Sequence, residues 1–329
     1  STRPSDTVAR LGGDEFAIVL DDVEDDAAAA TVAAKLIEAV GRPIVVDGHE
    51  LTVFASIGIS RFPGDGVTAD LLLRQADAAM YLAKQEGRNR CRFFSPEITA
   101  GVMQRLDIAT GLRLAVARDQ LVLHYQPAVD ATDGRVLSVE ALLRWRHPTR
   151  GLLGPAEFIH IAEETGVIDS IGRWVLETAC RQLRKWHDAG LTHIAVKVNL
   201  SPLEFRQPGL LDQVRAAVEE NNIPPGALGI EITESAAMQE PERSEQVLTE
   251  MRALGIHVSL DDFGTGHSSL AQLSRFPIQG LKIDRTLVAA LPDDRKNAII
   301  ASTVAALCSD LGLDLVGEGV ESEIGRAHV

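Results

Sequence analysis

Residues 194–233 read IAVKVNLSPLEFRQPGLLDQVRAAVEENNIPPGALGIEIT. An apolar run opens the stretch at Ile194–Leu200, another closes it at Leu228–Thr233, and a helical stretch fits between them. Near-continuous apolar strands joined in this way are the pattern of a parallel sheet covered by helices. Outward from it the pattern repeats. Strand candidates fall at Leu121 to Val129, Val136 to Leu143, Ile194 to Leu200, Leu228 to Thr233, Ile256 to Asp261, Gly280 to Ile283 and Leu313 to Val316. Helical stretches separate most of them, one carrying Leu176, Ala179, Leu183 and Trp186 on a single face. A short turn, Asp130 to Gly134, joins the first two, which are therefore expected to be antiparallel neighbours. The remainder alternates as in a β/α barrel, an α/β fold that needs eight strands and about 250 residues. Seven strands are found in the shorter stretch from Arg113 to Val329, so the last strand is expected to be missing.

The first hundred residues differ. Short strands at Thr7 to Leu11 and Phe16 to Leu20 flank Gly12-Gly13, and a helix runs from Asp26 to a stop at Gly41 and Pro43. A hairpin follows, from Ile44 to Val46 through Asp47-Gly48 into Leu51 to Ile59. A second helix carries Leu72, Ala76, Ala79, Met80 and Ala83, and the order of elements is α+β. The segment from Ser95 to Arg118 reads as a helical linker.

Composition narrows the function classes. The 329 residues carry a net charge of −15, which works against broad binding to DNA or RNA phosphates. Three scattered cysteines give neither a disulfide framework nor a zinc site, and imply a reducing, cytoplasmic setting. No apolar run reaches the roughly 18 residues of a membrane span, so any anchor is expected outside this chain.

Chemistry-bearing residues gather at the ends of the barrel strands: Glu140, Asn199, Glu231, Asp261-Asp262 and Glu318. In β/α barrels these ends carry the active site, and oxygen donors in that number suit magnesium or manganese better than zinc. Adjacent aspartates can bridge two metal ions about 3.5 to 4 Å apart, the arrangement typical of phosphoester hydrolysis. Lys282, between Leu281 and Ile283, adds a cation for a nucleophilic water or a phosphate. Taken singly, each residue has a plainer reading. Asp261-Asp262 also fits a turn or helix cap, Asn199 a structural hydrogen bond, and Gly264-Thr265-Gly266 a loop into a Ser-capped helix. Glu140 is harder to set aside, because a carboxylate in a nearly continuous apolar strand needs a partner.

Taken together, Glu140-Ala141-Leu142, Leu143-Arg144-Trp145, Val198-Asn199-Leu200-Ser201, Glu231-Ile232-Thr233-Glu234-Ser235, Asp261 to Gly266, Leu281-Lys282-Ile283-Asp284 and Glu318-Gly319-Val320-Glu321 resemble the EAL family. Its members are phosphodiesterases that linearise cyclic di-GMP to pGpG on a (β/α)8 barrel. The resemblance implies that Glu140, Asn199, Glu231, Asp261 and Asp262 hold two Mg²⁺ or Mn²⁺ ions, and that Lys282 and Glu318 act on the attacking water. It implies that Glu234 steadies the loop around Asp262, and that Gln126, Leu143 and Arg144 contact the nucleotide. A homodimer through the EAL domain is compatible with it. His267 stands where the family usually has tyrosine, and the tail from Ile324 to Val329 departs from the family pattern.

Gly12-Gly13-Asp14-Glu15-Phe16 alone fits a polar hairpin tip. With Ala76 to Tyr81 and Lys84 to Arg90 it resembles the GGDEF family of diguanylate cyclases. The resemblance implies metal binding by Asp14, catalytic assistance by Glu15, and a product-inhibition site at Arg3 and Asp6. That family's first strand is expected upstream of Ser1, so the chain is not expected to cyclise GTP. The resulting partition is a partial GGDEF domain at 1–95, a linker at 96–112 and a C-terminally incomplete EAL domain at 113–329.

Overall fold

The computed structural model describes residues 2–46, 49–264, 275–289 and 294–320. The chain divides into two compact units, Ser1–Asp107 and Ile108–Val329.

The first unit contains β1 (Thr7–Gly12), β2 (Glu15–Val19), α1 (Asp26–Val40), β3 (Ile44–Val46), β4 (His49–Leu51), β5 (Ile57–Ile59), α2 (Ala69–Gln85) and β6 (Cys91–Phe93). β1 and β2 form the expected antiparallel hairpin, with Gly13 in the left-handed region at φ 51°. α1 starts where the Asp25 carboxylate accepts the Ala28 N–H and ends at Gly41, as its Gly and Pro signals required. The expected strand from Leu51 to Ile59 is divided in the structure. β4 stops at Leu51 on its hairpin partner β3, and β5 instead pairs in parallel with β6. Packing explains the break: α2 presses so closely on β5 that a Cβ at Gly58 would lie 1.8 Å from the Ala76 carbonyl oxygen. Only the short segment around that glycine can enter the contact. The Asp47-Gly48 turn lies outside the described residues.

α3 (Pro96–Ala115) follows, and the second unit continues with β7 (Leu121–Val129), β8 (Val136–His147), β9 (Gly151–Leu153), α4 (Pro155–Thr165), α5 (Ile168–Asp188) and β10 (Ala195–Leu200). After them come α6 (Pro202–Phe205), α7 (Leu210–Glu220), β11 (Leu228–Thr233), α8 (Glu234–Gln239), α9 (Pro241–Ala253), β12 (His257–Phe263), β13 (Gly280–Ile283), the helices Arg285–Ala289 and Arg295–Leu311, and β14 (Asp314–Gly317). The sheet runs β7-β8-β10-β11-β12-β13-β14, with β9 added beside β8. β7 is antiparallel to β8, and every step from β8 to β14 is parallel. This is the expected α/β barrel sheet, seen over a seven-strand path. The expectation of a missing last strand concerns residues outside those described.

Strand parity sorts the side chains. Val196, Val198 and Leu200 of β10, with Leu228, Ile230 and Ile232 of β11, are buried in the core. Trp145 of β8, also buried, meets Phe158 of α4 edge-on at 5.7 Å between ring centroids. Gly111 of α3 admits the Trp145 ring, since a Cβ there would stand 2.9 Å from it. The alternate positions, Glu140, Lys197, Asn199, Glu231, Asp261 and Lys282, share the other face. Among the described residues, no helix is long and apolar enough to cross a membrane.

Candidate active site

Parallel register carries the polar residues to one end of the sheet. Asn199 pairs with Glu231, Thr233 with Asp261, and Glu140 with Lys197 on successive strands. Glu318 directly follows β14, and its N–H donates to the Ile283 carbonyl at 3.2 Å. At the centre stands Lys282. Its Nζ lies 2.7 Å from Glu231 Oε2, 2.7 Å from Glu318 Oε1, 3.1 Å from Asp261 Oδ2 and 3.2 Å from Glu140 Oε2. Asn199 Nδ2 donates to the other oxygen of Glu140 at 2.6 Å.

The electrostatics follow from burial. Glu231 is 1% exposed, and that burial pushes its carboxyl above the ordinary range against the opposing pull of Lys282. Burial works against the Lys282 ammonium, but the charges of Glu231, Asp261 and Glu140 outweigh it and hold its pKa above the usual lysine value. Glu318 is raised by burial, with Lys282 acting the other way. Asp262, at φ 56°, is raised by burial and by the charges of Asp261 and Asp284. Lys282 is thus a fixed ammonium among acceptors, and Glu318 is a half-buried carboxyl raised above its ordinary range beside it.

The structure thus brings together Glu140, Asn199, Glu231, Asp261, Glu318 and Lys282. Asp262 adjoins them, its N–H donating to Asp261 Oδ1 at 2.8 Å. Glu234 opens α8, and its carboxylate accepts the Gly264 N–H at 3.4 Å, next to Phe263. Gln126 faces Glu140 across the β7–β8 pair, and Arg144 shares the parity of both. Leu143 is not brought to the group. It has the opposite parity and is buried in the core, whereas half-buried Leu142 lies on the face of Glu140. Lys197 is the residue that sequence reasoning missed. Its Nζ lies 3.6 Å from Glu231 Oε1, and its signal was its spacing of two from Asn199 on one strand. Thr265, Gly266, His267 and Glu321 lie outside the described residues.

Carboxylate and amide oxygens, without thiolate or imidazole, fit a hard divalent cation in donor chemistry. Among the described residues these groups close on Lys282, and no three His, Cys, Asp or Glu side chains form a ready metal cage.

In the first unit, Gly13 and Asp14 form the tip between β1 and β2, and the carbonyl of Gly13 accepts two hydrogen bonds from Arg10, at 3.0 and 2.7 Å. The Arg3 N–H donates to the Asp6 carboxylate at 2.5 Å. Glu15 and Phe16 are exposed at the start of β2.

The EAL domain pattern matches residues 110–326. The chain belongs to the EAL domain family. Residues 1–90 match the diguanylate cyclase GGDEF domain, so a GGDEF segment precedes the EAL unit. The chain is 46% identical over 323 residues to the bifunctional diguanylate cyclase/cyclic di-GMP phosphodiesterase MucR of Pseudomonas aeruginosa, covering 98% of this chain and 47% of that protein. It is 37% identical to the cyclic di-GMP phosphodiesterase PdeR of Escherichia coli, covering 96% of this chain and 47% of that one. The chain therefore spans less than half the length of these curated relatives. A solved structure of the PaMucR phosphodiesterase in complex with c-di-GMP is 47% identical with a TM-score of 0.65, covering 67% of this chain and 90% of that one. The FimX EAL domain of Pseudomonas aeruginosa bound to c-di-GMP is 26% identical with a TM-score of 0.61, covering 68% of this chain and 89% of that one.

Proposed function

We propose that the EAL unit hydrolyses cyclic di-GMP to linear pGpG with the help of bound Mg²⁺ or Mn²⁺. The observation that carries this reading is the convergence of Glu140, Glu231, Asp261 and Glu318 on Lys282 at the end of parallel barrel strands. Support comes from relatives and solved structures of the family that are named for this nucleotide.

In this reading Glu140, Asn199, Glu231, Asp261 and Asp262 hold two divalent cations. When bound, the cations supply positive charge to the phosphodiester and acidify a water. The Lys282 ammonium donates a hydrogen bond to the attacking water and fixes its approach to phosphorus. Glu318, whose carboxyl is raised by burial, takes the proton that the water releases. Arg144 and Gln126 receive the nucleotide, Arg144 through a charge-assisted contact to phosphate. Leu143 contributes by packing the strand that carries Glu140 and Arg144, while Leu142 presents the apolar surface on their face. Glu234 holds the backbone at Gly264 and so the loop that follows Asp262. The first unit carries the GGDEF segment, joined through the helical segment 96–112 to the EAL domain at 113–329.

The test is incubation of the chain with cyclic di-GMP and Mn²⁺ or Mg²⁺, followed by chromatography. Formation of pGpG is the expected result. Nucleotide binding without product would turn the assignment to a receptor of cyclic di-GMP.

A further inference from the structure

Glu231 has a separate ammonium on each carboxylate oxygen. Lys282 takes Oε2 at 2.7 Å, and Lys197 takes Oε1 at 3.6 Å. Lys197 reaches it from within the sheet, its side chain only 12% exposed beside a carboxylate that is 1% exposed. A lysine at an inward strand position needs space across the ladder, and the register supplies it. Lys197 pairs with Gly229, and a Cβ at Gly229 would stand 2.9 Å from Lys197 Cγ. Even an alanine at 229 would therefore crowd the lysine stem. With an ammonium on one oxygen only, the other oxygen of this buried carboxylate would face the low-dielectric interior without a counter-charge, and Lys197 supplies it.

We propose that Lys197 is an internal counter-cation that competes with the divalent cation for the charge of Glu231 and so sets the affinity of the site for metal, Gly229 providing the space that admits it. The proposal rests on the reading of Glu231 as a metal ligand. Lys197 is a positioning and charge-balancing residue: it touches the ligand and not the reacting atoms. Two positive charges drawn to one carboxylate oppose each other, and the coupling is reciprocal. Lys197 weakens the hold on the cation, and the cation in turn substitutes for Lys197 in compensating Glu231. A structural salt bridge without this coupling would affect folding alone.

The experiment is calorimetric titration of Mn²⁺ into the purified chain, with thermal melts in EDTA and in Mn²⁺. Lys197→Met is expected to bind Mn²⁺ about threefold to tenfold more tightly than the parent chain. Its melting temperature in EDTA falls, and Mn²⁺ raises it by more than it raises the parent's. Lys197→Arg, which keeps the charge, restores the parent isotherm. Gly229→Ala, which pushes on the lysine stem, moves in the direction of Lys197→Met and decides the matter if that variant does not fold. Equal or weaker Mn²⁺ binding by the folded neutral variant overturns the proposal, as does a Lys197→Arg chain that behaves like Lys197→Met. Absence of Mn²⁺ uptake by the parent chain would instead overturn the metal-site reading and this inference with it. A normal parent isotherm with unchanged variants removes only the inference.

Discussion

Replacing Lys282 by methionine removes the ammonium at the centre of four carboxylates while keeping most of the side-chain volume. The cost is not four ion pairs. Glu140, Asp261 and Glu318 retain 21%, 14% and 30% side-chain exposure and can turn toward water, but Glu231 at 1% cannot. Removing the partner of one buried charge costs about 3–5 kcal/mol. Glu231 can instead take up a proton, which from its ordinary 4.5 costs about 4 kcal/mol at about pH 7.5, so the loss is bounded near about 3–4 kcal/mol. For a unit of this size that lowers the melting temperature by about 6–16 °C in EDTA, followed by circular dichroism. The pH dependence gives a second reading. Burial already raises the Glu231 carboxyl in the parent, and losing the opposing pull of Lys282 raises it further in the variant, so the additional stability that comes with its proton is present at acid pH and lost as pH rises. At about pH 5.5 protonation costs only about 1.4 kcal/mol, and the gap to the parent chain closes by more than half. The Lys282 ammonium of the parent is raised from 10.5 and keeps its contribution throughout this window. A melting temperature unchanged in EDTA, or a deficit identical at both pH values, would refute the assignment of Lys282 as the principal of the two charges that compensate Glu231.

Other substitutions probe neighbouring parts of the argument. Glu140→Ala abolishes turnover of cyclic di-GMP and weakens Mn²⁺ uptake in calorimetry; normal turnover would remove Glu140 from the ligand set. Leu143→Ala costs about 2–5 kcal/mol of stability in denaturant unfolding with little change in KM, because its side chain is in the core. A stable Leu143→Ala chain with a raised KM would place that residue at the substrate after all. Gly58→Ala drives a Cβ onto the Ala76 carbonyl and costs at least the about 1–3 kcal/mol of overpacking, read as lost hydrogen-exchange protection in α2. Unaltered protection would show that β5 and α2 are not in that contact.

Near-continuous apolar runs made most of the barrel legible in sequence. Leu228–Thr233 and Gly280–Ile283 have the same ends in sequence and structure, because both faces of these strands are enclosed and turn residues bound them. β8 runs on to His147 past the expected end at Leu143, because Arg144 and Arg146 interrupt the apolar run. Pairing with β7 and β9 holds that extension. β9 has only three residues, Gly151–Leu153, and exists through its partner and not through its own propensity. The acidic half of the site was legible because a carboxylate in an apolar strand calls for an explanation. Lys197 was not, since a lysine in a strand ordinarily reads as solvent-facing. Its inward position follows from parity with Asn199 and from the opening at Gly229, which only the register reveals. The same parity, counted from Glu140, distinguishes Leu142 from Leu143.

Charge balance also bears on the order in which ligands arrive. Glu140, Glu231, Asp261 and Glu318 face Lys282 and Lys197, so the cluster is net negative even before Asp262 is counted. A cyclic dinucleotide brings two further negative charges, and Arg144 is the cation on the expected contact surface. Repulsion between a fixed anionic cluster and an anionic ligand is strongest where water is scarce, which is the condition at Glu231. Divalent cations reverse that sign, so nucleotide affinity should depend on them independently of catalysis. Ca²⁺ separates the two effects, since it offers charge to the same oxygen donors but tolerates looser, larger coordination than Mg²⁺. Cyclic di-GMP is therefore expected to bind about tenfold or more tightly in Ca²⁺ than in EDTA, measured by calorimetry, with Lys282→Met lying further toward metal dependence than the parent. Equal affinity in EDTA and Ca²⁺ would mean that the nucleotide is held by Arg144 and its neighbours alone. The carboxylate cluster would then act only in the chemical step.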